Sequence, residues 1–173
     1  MATTYLQRTS GGSPTSNTKM TISLWLKRGK LDNAERFINS NNVSDPYFQM
    51  YFGDSGNTED AIRLQHYNGG SECELITNRK FRDTNGYYHI CYSYDSTPSS
   101  PSSSSVKLWI NGVQETSFAV ATYPSQNDSH RMNTGNFQIG GYNSGSFFTG
   151  IISHFYYIDG TAYDADTFGS VDS

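Results

Sequence analysis

Two carboxylates near the middle of the chain have a spacing that could support hydrolysis. Glu72 and Glu74 are two positions apart, so in an extended strand both project from the same face. Retaining glycoside hydrolysis needs two carboxyl groups roughly 5–5.5 Å apart, one as nucleophile and one as acid. Glu72, however, directly follows the turn-forming run Gly69–Ser71, which favours a solvated hairpin end over a catalytic groove. We therefore assign no catalytic residue and expect a protein that is not an enzyme.

Candidate metal ligands are either isolated or lie in ordinary turn sequences. Neither the single histidines nor the unpaired cysteines have the spacing of a zinc site; they are His66, His89, His130, His154, Cys73 and Cys91. Oxygen-rich stretches occur at Asp54–Asp60 and at Asp159, Asp164 and Asp166. Calcium needs about six to eight converging oxygens, and neither stretch has the EF-hand spacing. We predict no metal and no cofactor, with calcium in one of these loops as the alternative.

Aromatic side chains are better candidates for a binding role. Sugars and protein partners are often bound by aromatic rings and polar groups that a rigid sheet presents. Trp109 alternates with Leu108 and Ile110, which places it on the face opposite these core residues, whereas Trp25 is assigned to the core. The alternative for Trp109 is that it only covers its own sheet. The candidate binding residues are Trp109, Tyr51, Tyr67, Tyr123, Tyr142 and Phe147.

Length and composition indicate one domain, residues 1–173, with enough chain for a two-layer core. The net charge is −4, and no basic stripe is present, which argues against nucleic-acid binding. The apolar runs are only as long as strands, so we predict no membrane span. Residues 1–5 lack the charged and apolar regions of a secretory signal.

Alternation of apolar and polar residues predicts an all-β chain with about a dozen short strands in two packed sheets. The predicted strands cover residues 5–8, 21–29, 36–39, 47–52, 61–67, 73–77, 86–95, 106–110, 113–117, 137–141 and 148–160. Asn111-Gly112 is typical of a type I′ hairpin turn. The serine-rich run Ser96–Ser105 should form a surface loop, and Asp164–Phe168 is a candidate for one helical turn.

The two cysteines lie on predicted strands that could be hairpin neighbours around Lys80–Gly86. A disulfide between Cys73 and Cys91 is therefore sterically conceivable. A chain made in a reducing cytoplasm more often keeps such residues as small buried thiols, so the sequence leaves both states open.

Four segments, in this order along the chain, resemble a known family. They are Thr21–Gly29, Gly86–Asp95, Val106–Val113, and Phe137–Gly141 continuing into Phe148–Gly160. The set is similar to concanavalin A-like lectin/glucanase domains of the laminin-G and pentraxin type, which implies an antiparallel jelly-roll sandwich. Glucanases of that superfamily carry the motif Glu-x-Asp-x-x-Glu on one strand. Thr77 stands where the last glutamate would be, so the resemblance implies no glycosidase site here.

Five further segments resemble concanavalin A-like domains in virion proteins of marine tailed bacteriophages. They are Tyr5–Thr9, Trp25–Gly29, Phe81–His89, Tyr123–Asn127 and Tyr157–Gly169. This resemblance implies localisation in a virion, after synthesis in the host bacterial cytoplasm, with other capsid or tail proteins as partners. It also implies many copies or a homo-oligomer. The chain stops soon after Gly169, which favours a separate decoration subunit over a long fibre.

Two classes of function therefore compete. The first is a non-enzymatic structural component of a tailed-phage particle, either a capsid decoration protein or a tail or fibre protein, with glycan binding as an added ability. The second is a lectin-like module that binds carbohydrate on a host surface. A glycoside hydrolase is a remote third alternative.

Overall fold

The structure is a computed structural model that describes residues 4–9, 13–31, 34–41, 44–53, 55–133, 135–142 and 145–169. Within these ranges the chain forms twelve strands. They are β1 (Leu6–Arg8), β2 (Lys19–Arg28), β3 (Glu35–Ser40), β4 (Tyr47–Phe52), β5 (Ala61–Tyr67), β6 (Ser71–Lys80), β7 (Tyr88–Asp95), β8 (Val106–Ile110), β9 (Val113–Gln114), β10 (Phe118–Thr122), β11 (Phe137–Ile139) and β12 (Gly150–Asp159).

The strands pair antiparallel in two sheets. The seven-stranded sheet has the order β1-β11-β3-β4-β5-β6-β10, and the five-stranded sheet has the order β12-β2-β7-β8-β9. Short 3₁₀ helices occur at Gly56–Thr58 and Ala165–Phe168. In the described ranges, neither they nor any other helix could cross a membrane. The predicted all-β, two-sheet sandwich is confirmed.

The core fills the space between the two sheets because each strand turns alternate residues inwards. In β4, Phe48, Met50 and Phe52 are fully buried in this core. Met50 lies opposite Ile38 on β3 and Leu64 on β5, so one apolar row crosses the seven-stranded sheet. The residues between these core positions point away from the core, and their face is where the candidate site lies.

Strand β10 was not predicted, and β9 is shorter than predicted. Phe118–Thr122 pairs with β6 at the edge of the seven-stranded sheet, and most of its residues are exposed. An edge strand with little burial need not alternate, so its sequence carries almost no period-2 signal. The predicted turn before it is confirmed, since Asn111 and Gly112 have φ angles of 53° and 78°.

The cysteines are not hairpin neighbours, so that expectation was wrong. Strand β6 belongs to the seven-stranded sheet and β7 to the five-stranded sheet, and the segment between them crosses the sandwich. Cys73 faces the central core, whereas Cys91 packs beside Trp109 on the far side of its sheet. Both are free thiols, and burial raises the pKa of each to about 12. Both therefore stay protonated and serve as small packing groups.

A histidine lies in the central core. His66 is fully buried, packs on Phe48 with ring centroids 4.6 Å apart, and bonds through Nε2 to the Tyr92 hydroxyl at 2.8 Å. Its Nδ1 meets the backbone carbonyl of His130. Burial lowers the pKa of His66 well below 6.5, and the nearby His130 adds to this effect.

We expect His66 to make the fold sensitive to mild acid. An unfolded chain takes up a proton on this residue near pH 6.5 and the folded chain does not, so stability falls as pH drops below that value. The loss is at most about 1.4 kcal/mol per pH unit for one histidine. Urea unfolding of wild type and His66→Asn at pH 7.5 and 5.5 measures it, and the variant should lose less stability on acidification.

Three other groups affect the same pH range. Burial lowers the pKa values of His89 and His130 and raises that of Glu35, so Glu35 opposes the histidines. The comparison between wild type and variant removes the contributions of His89 and Glu35, and it measures His66 together with its neighbour His130. His154→Asn, at an exposed position, is the control for replacing a surface histidine by Asn. Equal losses in wild type and His66→Asn would show that His66 does not titrate on unfolding.

Candidate functional site

The outer face of the seven-stranded sheet presents tyrosines among amide and charged groups. Four tyrosines define this surface, called the tyrosine face below: Tyr47, Tyr51, Tyr67 and Tyr142. Alternation turns Tyr47, Gln49 and Tyr51 of β4 away from the core. The register places Tyr47 opposite Tyr67 and Gln49 opposite Gln65 on β5. Two neighbouring strands thus present matching polar and aromatic groups on one side.

Tyr47 and Tyr67 form a stacked pair. Their ring centroids are 5.0 Å apart, the rings are within 9° of parallel, and both side chains are half-buried. The Tyr47 hydroxyl donates to Gln65 Oε1 at 3.3 Å. Burial raises the pKa of Tyr47 above 10.0, so the phenol remains neutral at physiological pH. The pair is a fixed aromatic surface with a polar rim.

A row of amides runs beside this pair. Asn39, Gln49 and Gln65 face one another across β3, β4 and β5, and the carboxylate of Glu74 continues the row on β6. Gln49 Nε2 donates to Gln65 Oε1 at 2.9 Å, and Gln65 Nε2 donates to Ser71 Oγ at 2.6 Å. The three amides are buried, so these bonds make the row a fixed support beside the tyrosine rings.

Two arginines surround Tyr51. The guanidinium carbon of Arg36 lies 5.0 Å from the Tyr51 ring centroid and 4.9 Å from that of Tyr142. Arg63 lies 5.7 Å from the Tyr51 ring and forms an ion pair with Glu74 at 2.5 Å. Burial raises the pKa of Tyr51 above 10.0. The tyrosine face thus combines rings, amides and charge on a rigid sheet.

The structure brings together three of the predicted binding residues, Tyr51, Tyr67 and Tyr142. Phe147 borders this face, since it pairs with Arg36 through its backbone and stacks on Tyr5 at 6.2 Å. Tyr123 lies elsewhere, because its ring packs against the central core. It is therefore not part of the tyrosine face.

Sequence reasoning missed Tyr47, Arg36, Gln49 and Gln65. Part of this surface could have been predicted. Tyr47, Gln49 and Tyr51 alternate with apolar residues along β4, so the sequence places these three side chains on one face of the strand. The pairing of Tyr47 with Tyr67 depends on strand register, which the sequence alone does not give.

The prediction that Trp109 is an exposed contact residue was wrong. Trp109 does lie on the outer face of the five-stranded sheet, as alternation predicts, but only 6% of it is exposed. The chain itself covers the indole, since Ala165 and Phe168 of the C-terminal 3₁₀ helix pack over Trp109 and Cys91. The alternative, that Trp109 belongs to the cover of its own sheet, describes the structure.

The assignment of Trp25 to the core was also wrong. Trp25 lies two positions from Ser23 and from Lys27, so all three side chains are on the outer face of the strand. The Trp25 side chain is 40% exposed. Its ring lies 5.0 Å from that of His89, which bonds Ser23 Oγ through Nε2 at 2.9 Å. Beside them is a cavity of about 240 Å³. It is lined by Trp25, His89, Asn111, Gly112, Ala165, Phe168 and Gly169.

The carboxylates considered for hydrolysis are both engaged in ion pairs. Glu72 accepts two hydrogen bonds from Arg131, at 2.7 and 2.5 Å, and Glu74 pairs with Arg63. Thr77, at the position of the missing glutamate, is buried and accepts a hydrogen bond from the Ile62 N–H. This part of β6 is thus occupied by structural contacts.

The acidic loops considered for calcium have separate partners. Asp159 accepts from the backbone N–H of Thr15, and Asp164 pairs with Lys107 at 2.9 Å. Asp60 belongs to a buried ion pair with Arg28, and Asp54 lies outside the described residues. Among the residues the structure does describe, no three His, Cys, Asp or Glu side chains converge as metal ligands.

Solved structures with the same fold include proteins with bound sugars. Domain 4 of AbnA, an extracellular arabinanase from Geobacillus stearothermophilus in complex with arabinotriose, is 21% identical with a TM-score of 0.54. The alignment covers 86% of this chain but only 64% of that one. The CBM40 of Ruminococcus gnavus IT-sialidase, bound to α2,3-sialyllactose, is 13% identical with a TM-score of 0.53. There the alignment covers 94% of this chain and 95% of that one.

A third similar structure is the heptameric SAP-like pentraxin from Limulus polyphemus, 16% identical with a TM-score of 0.54. It aligns over 88% of this chain and 68% of the pentraxin. These low identities show a common fold. No curated protein matches the sequence. A laminin G family model, described as the concanavalin A-like lectin/glucanases superfamily, matches residues 2–166. The chain belongs to the concanavalin A-like lectin/glucanase superfamily, in its laminin G branch.

Proposed function

We propose that this protein is a non-enzymatic carbohydrate-binding domain and that its ligand lies on the tyrosine face. The observation that carries the proposal is the stacked, half-exposed pair Tyr47 and Tyr67 beside a row of bonded amides. Sugar rings present apolar C–H faces and polar edges. The tyrosine rings suit the first, and their hydroxyl groups suit the second, while Gln49 and Gln65, only 4% and 5% exposed, support the site through hydrogen bonds.

The rigidity of the tyrosine face supports carbohydrate binding. The groups that would contact a sugar sit on the central strands β4 and β5, and their neighbours hold them in place through hydrogen bonds. Little side-chain freedom remains to be lost on binding, which favours affinity for a weakly hydrophobic ligand. The arabinotriose complex of the arabinanase domain and the sialyllactose complex of the CBM40 support carbohydrate binding as a use of this fold.

The absence of enzymatic activity is part of the proposal. Glu72 and Glu74 are both neutralised by arginines, and Thr77 offers no carboxylate at the position of the glucanase motif. A retaining mechanism needs a free nucleophile and a protonated acid. The contacts on β6 favour neither.

A place on a phage particle stays a prediction. It is supported by five short sequence segments, among them Tyr123–Asn127 and Tyr157–Gly169. Partners in a capsid or tail, many copies, and localisation in a virion belong to the same prediction. Host-surface binding through the tyrosine face is compatible with such a place.

The test is glycan binding by tyrosine variants. A glycan array identifies a bound oligosaccharide, and calorimetry with that oligosaccharide compares wild type with Tyr67→Ala and Tyr47→Ala. Each truncation removes about 1 kcal/mol of apolar contact, so affinity should fall about fivefold. Trp25→Ala is the matched control, because it removes an exposed ring from the opposite side of the sandwich. Loss of binding in Trp25→Ala, with the tyrosine variants unchanged, would contradict the proposal.

A further inference from the structure

One arginine on the tyrosine face has rings around it but no acidic partner. Arg36 contacts the rings of Tyr51 and Tyr142, and its Nε donates to Gln49 Oε1 at 3.0 Å. Among the described side chains, no carboxylate forms an ion pair with it. Nor does any described residue accept a hydrogen bond from its terminal nitrogens. The side chain is half-buried on an open face.

The contrast with other arginines makes this arrangement specific. Arg63, on the same face, is neutralised by Glu74 at 2.5 Å. Arg28 pairs with Asp60, and Arg131 pairs with Glu72. In the described part of the tyrosine face, a carboxylate neutralises Arg63, and no described carboxylate neutralises Arg36.

A guanidinium in this state suits one class of ligand. Its terminal nitrogens form a planar fork that binds a carboxylate or a sulfate through two parallel hydrogen bonds. The two tyrosine rings and Gln49 fix the plane of the fork, so it is arranged before a ligand arrives. Partial burial weakens competition from water for these bonds.

We infer that the tyrosine face binds an acidic sugar residue, whose carboxylate or sulfate group pairs with Arg36 while its ring lies on the tyrosines. This inference rests on the proposed carbohydrate binding and specifies the charge of the ligand. It predicts discrimination between sugars that differ only in an acidic group.

The experiment measures binding to matched pairs of oligosaccharides. Trigalacturonate and sialyllactose are each compared with their methyl esters, and sulfated lactose is compared with lactose. At least one acidic member should bind about tenfold more tightly than its neutral counterpart, and added salt should reduce the difference. The carboxylate and sulfate pairs together identify which acid is preferred.

Variants assign the effect to Arg36. Arg36→Gln should remove the preference for the acidic member, so that the acidic and neutral members bind with equal affinity. Arg36→Lys, which keeps the charge without the fork, should restore only part of the preference. Arg82→Gln is the control for net charge, since Arg82 is 57% exposed and pairs with Asp60. A melting temperature near that of wild type shows that each variant is folded.

The outcomes separate the two proposals. If neutral and acidic members bind equally and Tyr67→Ala still weakens both, carbohydrate binding stands and the acidic-sugar inference is wrong. If Arg82→Gln removes the preference as fully as Arg36→Gln, the effect is net charge, and the inference is also wrong. If no pair binds and the array is empty, both proposals fail.

Discussion

Replacing Asp60 by Asn is expected to lower the free energy of unfolding by about 3–5 kcal/mol. Arg28 has no exposed surface, and its Nη1 donates to Asp60 Oδ1 and to the carbonyl of Phe81, each at 2.7 Å. Glu35 is the other carboxylate near Arg28, at 3.7 Å, and burial raises the pKa of Glu35 above 4.5. Loss of Asp60 therefore leaves a buried cation without its closest counter-charge.

Chemical unfolding of wild type and Asp60→Asn measures this effect. Asn keeps the side-chain shape and tolerates the backbone of Asp60, whose φ is 56°. Arg82→Gln is the control, since it removes an exposed partner of the same carboxylate and should cost less than about 1 kcal/mol. If Asp60→Asn were no more harmful than this control, the buried pair with Arg28 would not contribute to stability.

Trp109→Ala should cost about 3–5 kcal/mol, the range for deleting a large buried ring. The indole fills the space between the five-stranded sheet and the C-terminal 3₁₀ helix, where it meets Cys91 and Ala165. Its loss leaves a cavity and removes the surface on which the 3₁₀ helix packs. Urea unfolding gives the stability, and limited proteolysis should show faster cleavage beside Ala165–Phe168.

The control for Trp109 is Trp25→Ala on the same face of the same sheet. Trp25 is 40% exposed, so its truncation should cost well under half as much. Similar destabilisation by both substitutions would mean that the 3₁₀ helix does not protect Trp109. In that case Trp109 would again be a candidate binding residue.

The two tryptophans illustrate what a strand pattern can predict. Alternation places both side chains on the outer face, because each tryptophan lies between two core residues of its strand. It does not say what covers that face. The cover for Trp109 comes from Ala165–Phe168, more than fifty positions further along the chain. Burial of an outward residue depends on such long-range packing, and the local sequence carries no sign of it.

The candidate site follows the same logic. The strands β4 and β5 were predicted with their exact bounds, because strong alternation marks a sheet buried on one side. Alternation along β4 and β5 therefore predicts which of their residues lie on the tyrosine face. It does not predict the contact between Arg36 and Tyr142, since that contact depends on how the chain after β11 returns to β3. Contacts of this kind require the pairing of distant strands.

Amide chemical-shift mapping shows directly whether glycan binds on the tyrosine face. Isotope-labelled protein is titrated with the tightest-binding oligosaccharide from the array. We expect the largest shifts on β4 and β5, at Tyr47, Gln49, Gln65 and Tyr67, with few changes on the five-stranded sheet. Shifts concentrated around Trp25, His89 and Phe168, with β4 and β5 unchanged, would contradict it.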